Sequence, residues 1–432
     1  MISKITNIFK VKDLRKKIFF TFSLLIVFRL GGQVTIPGVG GSLNFPDSLS
    51  ILELYDTFVG SFLSQASIFS LGIMPYISAS IIVQLMTAVV PYFQRLKKEG
   101  AEGNKKIIQL TRYGTVFIAT IQAIGVATLF SSQGMILEGL NSTLFFLVAI
   151  ITLVTGTVFV MWLGEQITDY GIGNGISLII TVGILAGAPN AFGSQFNKML
   201  ASNNELIIGI FLFLCLILIT MFVVYITSAI RKIPVQFAKR VVGRKVYGGQ
   251  ASHIPLKILT AGVMPIIFAQ ALMFIPGLIG QMAQADWLIN GFAPNAWAYN
   301  IIFALLIITF TYFYTAIAFN PADVADNMQK QGGFIPGVRP GKATSDFLDN
   351  ILTRVTLPAS IALAFIAIIP FLFQKFGNVE IGLSYFFGGT SIIIAVGVAL
   401  DTMQQIEGHL VSRHYDGFLK TGRIKGRSRS RF

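Results

Sequence analysis

The chain alternates between long apolar runs and polar connections. Ten apolar runs stand out, at 18–36, 68–90, 113–130, 143–163, 174–188, 206–228, 258–280, 299–319, 351–373 and 386–407. About 20 apolar residues in a helix cross a hydrocarbon core of roughly 30 Å, so each run predicts a transmembrane helix. The fifth run is short and glycine-rich. The stretch 58–71, FVGSFLSQASIFSL, is half apolar, rich in Ser and Gly, and too short and polar to span. Two elements fit it equally: a re-entrant, plug-like half-helix, or an amphipathic helix lying at the interface.

Composition agrees with this pattern. Of 432 residues, 54% are hydrophobic and 12% charged, whereas soluble domains carry about 25% charged residues. The chain is therefore read as a polytopic membrane protein. Its net charge of +14 raises the question of a nucleic-acid partner, but the placement of the cations favours topology. Lys and Arg fall in the N-terminal tail, between spans two and three, six and seven, and eight and nine, and in the C-terminal tail. The opposite connections hold only Lys198 and Lys375, and Arg29 sits inside span one. By the positive-inside rule both termini are cytoplasmic. The first run follows a basic segment and lacks a small-residue cleavage site, so it reads as a helix rather than a removable signal.

Ten spans divide into five and five, and an odd number per half inverts one half relative to the other. A short repeat marks this symmetry. Gly72-Ile73-Met74-Pro75 opens span two, and Gly262-Val263-Met264-Pro265 lies in span seven, the second span of its half. The expected organisation is an N-terminal half over 1–190, a C-terminal half over 191–410 with large cytoplasmic loops at 231–257 and 319–350, and a basic tail over 411–432. Proline within these spans implies irregular helices, which membranes tolerate only against protein or a water-filled cavity.

Catalytic chemistry has no foothold. Apart from Asp401, the acidic residues lie in connections or at span ends, so no coupling carboxylate stands inside the bundle. His253, His409 and His414 have no metal-site spacing, and Cys215 is a single thiol in an apolar run. The segment GVRPGKAT (337–344) lacks the first Gly and the Ser/Thr of a phosphate loop. Gly171-Ile172-Gly173-Asn174-Gly175 reads as a tight turn into span five. The chain is read as a non-enzyme without cofactor or metal.

Five long segments carry a family signature: GSFLSQASIFSLGIMPYISASIIVQL (60–85), MWLGEQITDYGIGNGIS (161–177), AKRVVGRKVYGGQASHIPLK (238–257), FNPADVADNMQKQGGFIPGVRPGKAT (319–344) and FGGTSIIIAVGVALD (387–401). Together they resemble the bacterial SecY family, the channel subunits of the Sec protein-translocation complex. The resemblance implies an all-α membrane fold: ten transmembrane helices in two inverted five-helix halves around a central hourglass pore, with a short plug half-helix. It implies a pore ring of Ile73, Ile77, Ile176, Ile180, Ile267 and Ile394. The plug would comprise Ser61, Phe62, Leu63, Ser64, Gln65, Ala66, Ser67, Ile68, Phe69 and Ser70. A lateral gate would lie between spans two and seven, at Pro75, Gln84 and Pro265. Lys239, Arg240, Arg244, Lys245 and Arg339 would dock the ribosome and the SecA motor ATPase. Arg244-Lys245 stands where family members often carry two Arg, and Lys lacks the planar fork that grips phosphate bidentately. SecE- and SecG-like small subunits, membrane lipids and nascent or preprotein chains with signal sequences are the further partners implied, in the bacterial plasma membrane. The rival reading is a secondary transporter of a small solute, which also uses inverted five-helix halves.

Overall fold

The structure is a computed structural model. It describes residues 11–43, 50–237 apart from 138, 140 and 202, 240–242, 245–247, 251–287 apart from 284 and 286, and 291–421 apart from 378–388. In chain order the described helices are α1 (Lys12–Gly31), α2 (Ser50–Val59), α3 (Met74–Val89), α4 (Pro91–Lys98), α5 (Ala101–Ser132), α6 (Ser142–Tyr170), α7 (Gly175–Ala201), α8 (Asn203–Ser228), α9 (Met264–Met282), α10 (Trp297–Ala318), α11 (Pro321–Lys330), α12 (Lys342–Gly377) and α13 (Gly389–Thr421).

Each apolar run overlaps one of these helices, but the helices are unequal. Among the described residues α5, α6, α8, α10, α12 and α13 are long and apolar enough to cross a membrane unaided, and α3 with α4 makes a seventh candidate bent by 94°. Apolar stretches of α7 and α9 are shorter. Helix α8 is apolar on all sides and exposes Phe211, Leu214, Leu218 and Met221, as a lipid-facing helix must. The molecule is a multi-pass membrane protein.

The short helices have a common cause. Residues 68–73 and 258–263 form successive turns, and α3 and α9 start only at Met74 and Met264. Gly72 (φ 52°) and Gly262 (φ 59°) take the left-handed backbone that ends each turn. Their amides reach back to Phe69 O at 2.7 Å and Leu259 O at 3.2 Å. Pro75 and Pro265 therefore stand in the first turn of a helix, where the missing N–H has no helical partner to lose. This corrects the expectation of prolines breaking a helix from within. With 16 residues, α3 spans about 24 Å, less than the hydrocarbon core.

Helices α1–α7 come first along the chain and α8–α13 follow. They meet along two seams: α3 and α5 lie against α9, and α7 lies against α8 and α13. The expected division at 190 falls inside α7, which continues to Ala201. One contiguous apolar cluster joins side chains from both groups, including Phe28, Phe62, Ile77, Leu163, Ile267 and Ile394.

The region 231–257, expected as a loop, is an antiparallel hairpin. Strands β1 (Ile230–Phe237) and β4 (Ala251–Lys257) pair with Ile233 opposite Ile254 and Val235 opposite Ser252. Between them β2 (Arg240–Val242) and β3 (Lys245–Tyr247) form a second ribbon. Strand β5 (Gly333–Phe334), from the other large loop, adds to β1 only at Gln236 and Phe237. Pro234 thus stays on an open edge, where its lack of an N–H does no harm. Ile233, Val235 and Leu256 turn inward onto Met328, Ile335, Leu348 and Leu352. Two loops distant in sequence become one body with its own small core.

Candidate functional site

The six isoleucines expected in the pore ring occupy comparable places. Each lies at or near the start of a helix: Ile73 and Ile77 at α3, Ile176 and Ile180 at α7, Ile267 at α9, Ile394 at α13. All but Ile176 are buried to 4% exposure or less. Ile176 is half-buried against the same cluster that holds the other five. Helix α7 starts there because Asn174 Oδ1 accepts from Ile176 N–H at 3.1 Å, after Gly173 has turned the chain at φ 85°. The expected tight turn is present.

The segment Ser61–Ser70 joins this same cluster but is not a half-helix. It folds as consecutive turns, with Ser61 at φ 64° and Ala66 at φ 47°. The helix of this connection is α2, just ahead of it. The reason is hydrogen-bond competition from short polar side chains. Ser67 Oγ accepts from Phe69 N–H at 3.1 Å, and Ser70 Oγ donates to Phe62 O at 3.0 Å. Asp56 Oδ1 of α2 accepts from the amides of Leu63 (2.8 Å) and Ser64 (3.1 Å). Phe62, Leu63, Ala66, Ser67, Phe69 and Ser70 are buried, while Ser61, Ser64, Gln65 and Ile68 are half-buried.

The segment is seated from several sides. Ile68 N–H donates to Val34 O at 2.9 Å, and Ile36 N–H donates to Ala66 O at 2.8 Å. Arg29 Nη1 donates to Gly60 O at 3.0 Å, and its guanidinium lies 5.0 Å from the centre of the Phe62 ring. Phe28 meets Phe62 edge-on at 5.2 Å. A Cβ added to Gly183 of α7 would stand 2.7 Å from Phe58 O, so only glycine fits there.

Of the expected gate residues, Pro75 and Pro265 are buried at the starts of α3 and α9, which touch each other. Gln84 is half-buried and donates to Ser80 Oγ at 3.0 Å within α3. The opposite seam has a polar tie near Asp401, where Gln405 Oε1 of α13 accepts from Gly173 N–H at 2.9 Å. Beside it, on the α13 side, Lys257 Nζ donates to Gln404 Oε1 at 2.7 Å.

The docking residues are less fully placed. Lys239 and Arg244 lie outside the described residues. Arg240 and Lys245 stand on the β2–β3 ribbon, paired with Tyr247 and Val242. Arg339 is exposed, and its carbonyl accepts from Thr344 Oγ1 at 2.8 Å, so its backbone is held while its side chain is free to reach outward.

The SecY family model matches residues 67–403. The chain belongs to the SecY family. A protein translocase subunit SecY from Halalkalibacterium halodurans is 44% identical, with 97% of this chain and all of that protein covered. The SecY subunits of Vibrio cholerae and Escherichia coli K12 are 42% and 40% identical, covering 97% and 96% of each chain. Among solved structures, a protein-conducting channel aligns with a TM-score of 0.65 at 19% identity over 93% of each chain. A second, a SecY protein whose plug domain stabilises the closed channel, aligns at 0.61 and 19% over the same share. The fold is thus that of the SecY channels.

Within this SecY-family chain, sequence reading missed three features. It passed over α2, although Leu52, Tyr55 and Val59 recur at helical spacing and bury together. It placed Arg29 in a span without its partners Gly60 and Phe62. It took the hairpin for a loop, although Ile233, Val235 and Phe237 alternate with polar or proline positions, the period of a half-buried strand.

Proposed function

We propose that this chain forms the protein-conducting channel of a Sec translocase. It passes unfolded secretory chains across the bacterial plasma membrane and releases apolar segments sideways into the lipid. The observation that carries this reading is the one contiguous apolar cluster that holds the isoleucines at four helix starts together with Phe62, Leu63, Ala66 and Phe69 of the Ser61–Ser70 segment. Such a barrier needs no bound group and no catalytic step, because a moving chain can part apolar contacts and they reform behind it. In this reading Ile73, Ile77, Ile176, Ile180, Ile267 and Ile394 form the ring, and Ser61–Ser70 with α2 forms the plug.

The α3–α9 seam is the lateral gate. A segment of about 20 residues at a few tenths of a kcal/mol per Leu or Ile is enough to bias release into lipid. Both termini and the hairpin body face the cytoplasm. There Lys239, Arg240, Arg244, Lys245 and Arg339 meet the phosphates of ribosomal RNA or a motor ATPase such as SecA. SecE- and SecG-like subunits cover exposed apolar faces. A solute transporter is the weaker alternative, since the six isoleucines bring no charged group to the proposed ring.

The test is direct. Purified channel in vesicles, given a motor ATPase and ATP, exports a signal-bearing preprotein in the wild type. Ile77→Ser with Ile267→Ser puts hydroxyls into the collar and lets the resting channel leak ions. A membrane potential held as tightly by that variant as by the wild type rejects the ring assignment.

A further inference from the structure

Three structural units meet at one side chain, Tyr55 of α2. Its ring is 2% exposed. It stacks on Phe274 of α9, with centroids 4.0 Å apart and planes 15° from parallel. Its hydroxyl donates to Leu71 O at 2.7 Å, at the end of the turns that lead into α3. Leu54, Met74, Gln270, Met273 and Tyr299 close around the pair and leave a space of about 10 Å³, at the lower limit for one water. The neighbouring Asp56 binds the amides of Leu63 and Ser64, so α2 and the plug segment are tied into one piece.

We propose that Tyr55 is the joint through which parting of α3 from α9 releases the plug. The proposal rests on the channel reading above. With the seam shut, the stack on Phe274 fixes the ring, and the fixed ring presents its hydroxyl to Leu71. When α9 moves away the ring loses its flat partner, and the hydroxyl bond must hold alone. Water entering the seam then competes for the Leu71 carbonyl, and a single hydrogen bond contributes little once water can replace it. The plug therefore stays seated while the gate is closed and loosens when a signal segment parts the gate. Neither contact is strong alone, which lets a modest separation trip the release.

Two variants separate the contacts. Tyr55→Phe removes the hydroxyl bond and keeps the ring; Phe274→Leu removes the stack and keeps the bond. Vesicles with channel, motor and ATP are offered one preprotein with a strongly apolar signal and one whose signal is weakened by polar substitutions. Strong-signal export stays at the wild-type level in both variants. Weak-signal export rises about fivefold in each, the shift expected from losing one net hydrogen bond or ring contact. The double variant rises no further, because both contacts belong to one joint. Unchanged weak-signal export in both single variants overturns the joint, as does an additive rise in the double variant or loss of strong-signal export in either. Failure of the wild type to export the strong-signal preprotein overturns the channel reading itself.

Discussion

Glycine and arginine decide how closely the plug segment can sit. Gly156 of α6 faces Ile68 O so closely that a Cβ there would overlap the carbonyl. Gly60, at φ 90°, lies where an added Cβ would stand 2.9 Å from Gly183 Cα, so two backbones touch without side chains between them. Replacing Gly156 by Ala forces the segment outward at a cost of about 1–3 kcal/mol, the usual penalty for overpacking. The expected result is a lower thermal midpoint for the purified protein and a larger resting ion leak; wild-type values for both would show that the seat is not tight there. Arg29 follows the same logic. A lone cation in an apolar helix is costly unless partnered, and its partners are the backbone of Gly60 and the face of Phe62. The sequence made Arg29 conspicuous but could not name either partner, because both lie in a segment joined to it only by the fold.

At the scale of elements, one turn-then-helix device occurs twice, at Gly72–Pro75 and Gly262–Pro265. It delays the start of α3 and α9 and leaves turns at 68–73 and 258–263, where the apolar runs predicted irregular helix. Uniform apolarity hides this, since a run of Ile, Leu and Phe reads the same in a turn as in a helix. The hairpin module is the other element-level lesson. Its fold hangs on a few inward side chains, so Ile233→Asp, which buries a carboxyl among Val235, Leu256 and Leu352, costs about 3 kcal/mol or more. Limited proteolysis is expected to cut 231–257 in that variant while the membrane helices remain intact; equal protection would show that the module does not depend on this core. The same module carries the basic ribbon. Reversing Arg244 and Lys245 to Glu is expected to weaken ribosome binding and flatten its salt dependence by about one logarithmic unit per lost phosphate contact. An unaltered salt slope would remove these residues from the interface.

For the whole molecule, the arrangement of seams matters most. Between α1–α7 and α8–α13 one polar tie is Gln405 of α13 holding the amide of Gly173. They also meet where α3 and α5 face α9. Polar bonds resist sliding apart because each lost partner leaves an unsatisfied group, whereas apolar contacts between helices in lipid separate at small cost. On the channel reading proposed above, the α3–α9 seam is the one expected to open. Cys215 is the only cysteine, so engineered pairs are easily interpreted. A disulfide between α3 and α9 is expected to stop export until it is reduced, and a disulfide between α7 and α13 to leave export unchanged. Export through the locked α3–α9 pair would place the gate elsewhere.

Hydropathy, charge and the Gly-x-Met-Pro repeat were enough to establish membrane residence and the ten apolar runs, because these depend on residue type along the chain, while the isoleucine set came only from the family motifs. The family motifs added the names of the plug and gate. Tertiary structure alone decided that Ser61–Ser70 coils in turns beneath α2, that two loops share a sheet, and that Tyr55 touches Phe274 and Leu71 at once. Those features depend on which backbone carbonyl lies opposite which donor. Local sequence cannot specify that, since the partners of Tyr55, Arg29 and Gly156 are brought within reach only when the helices have packed.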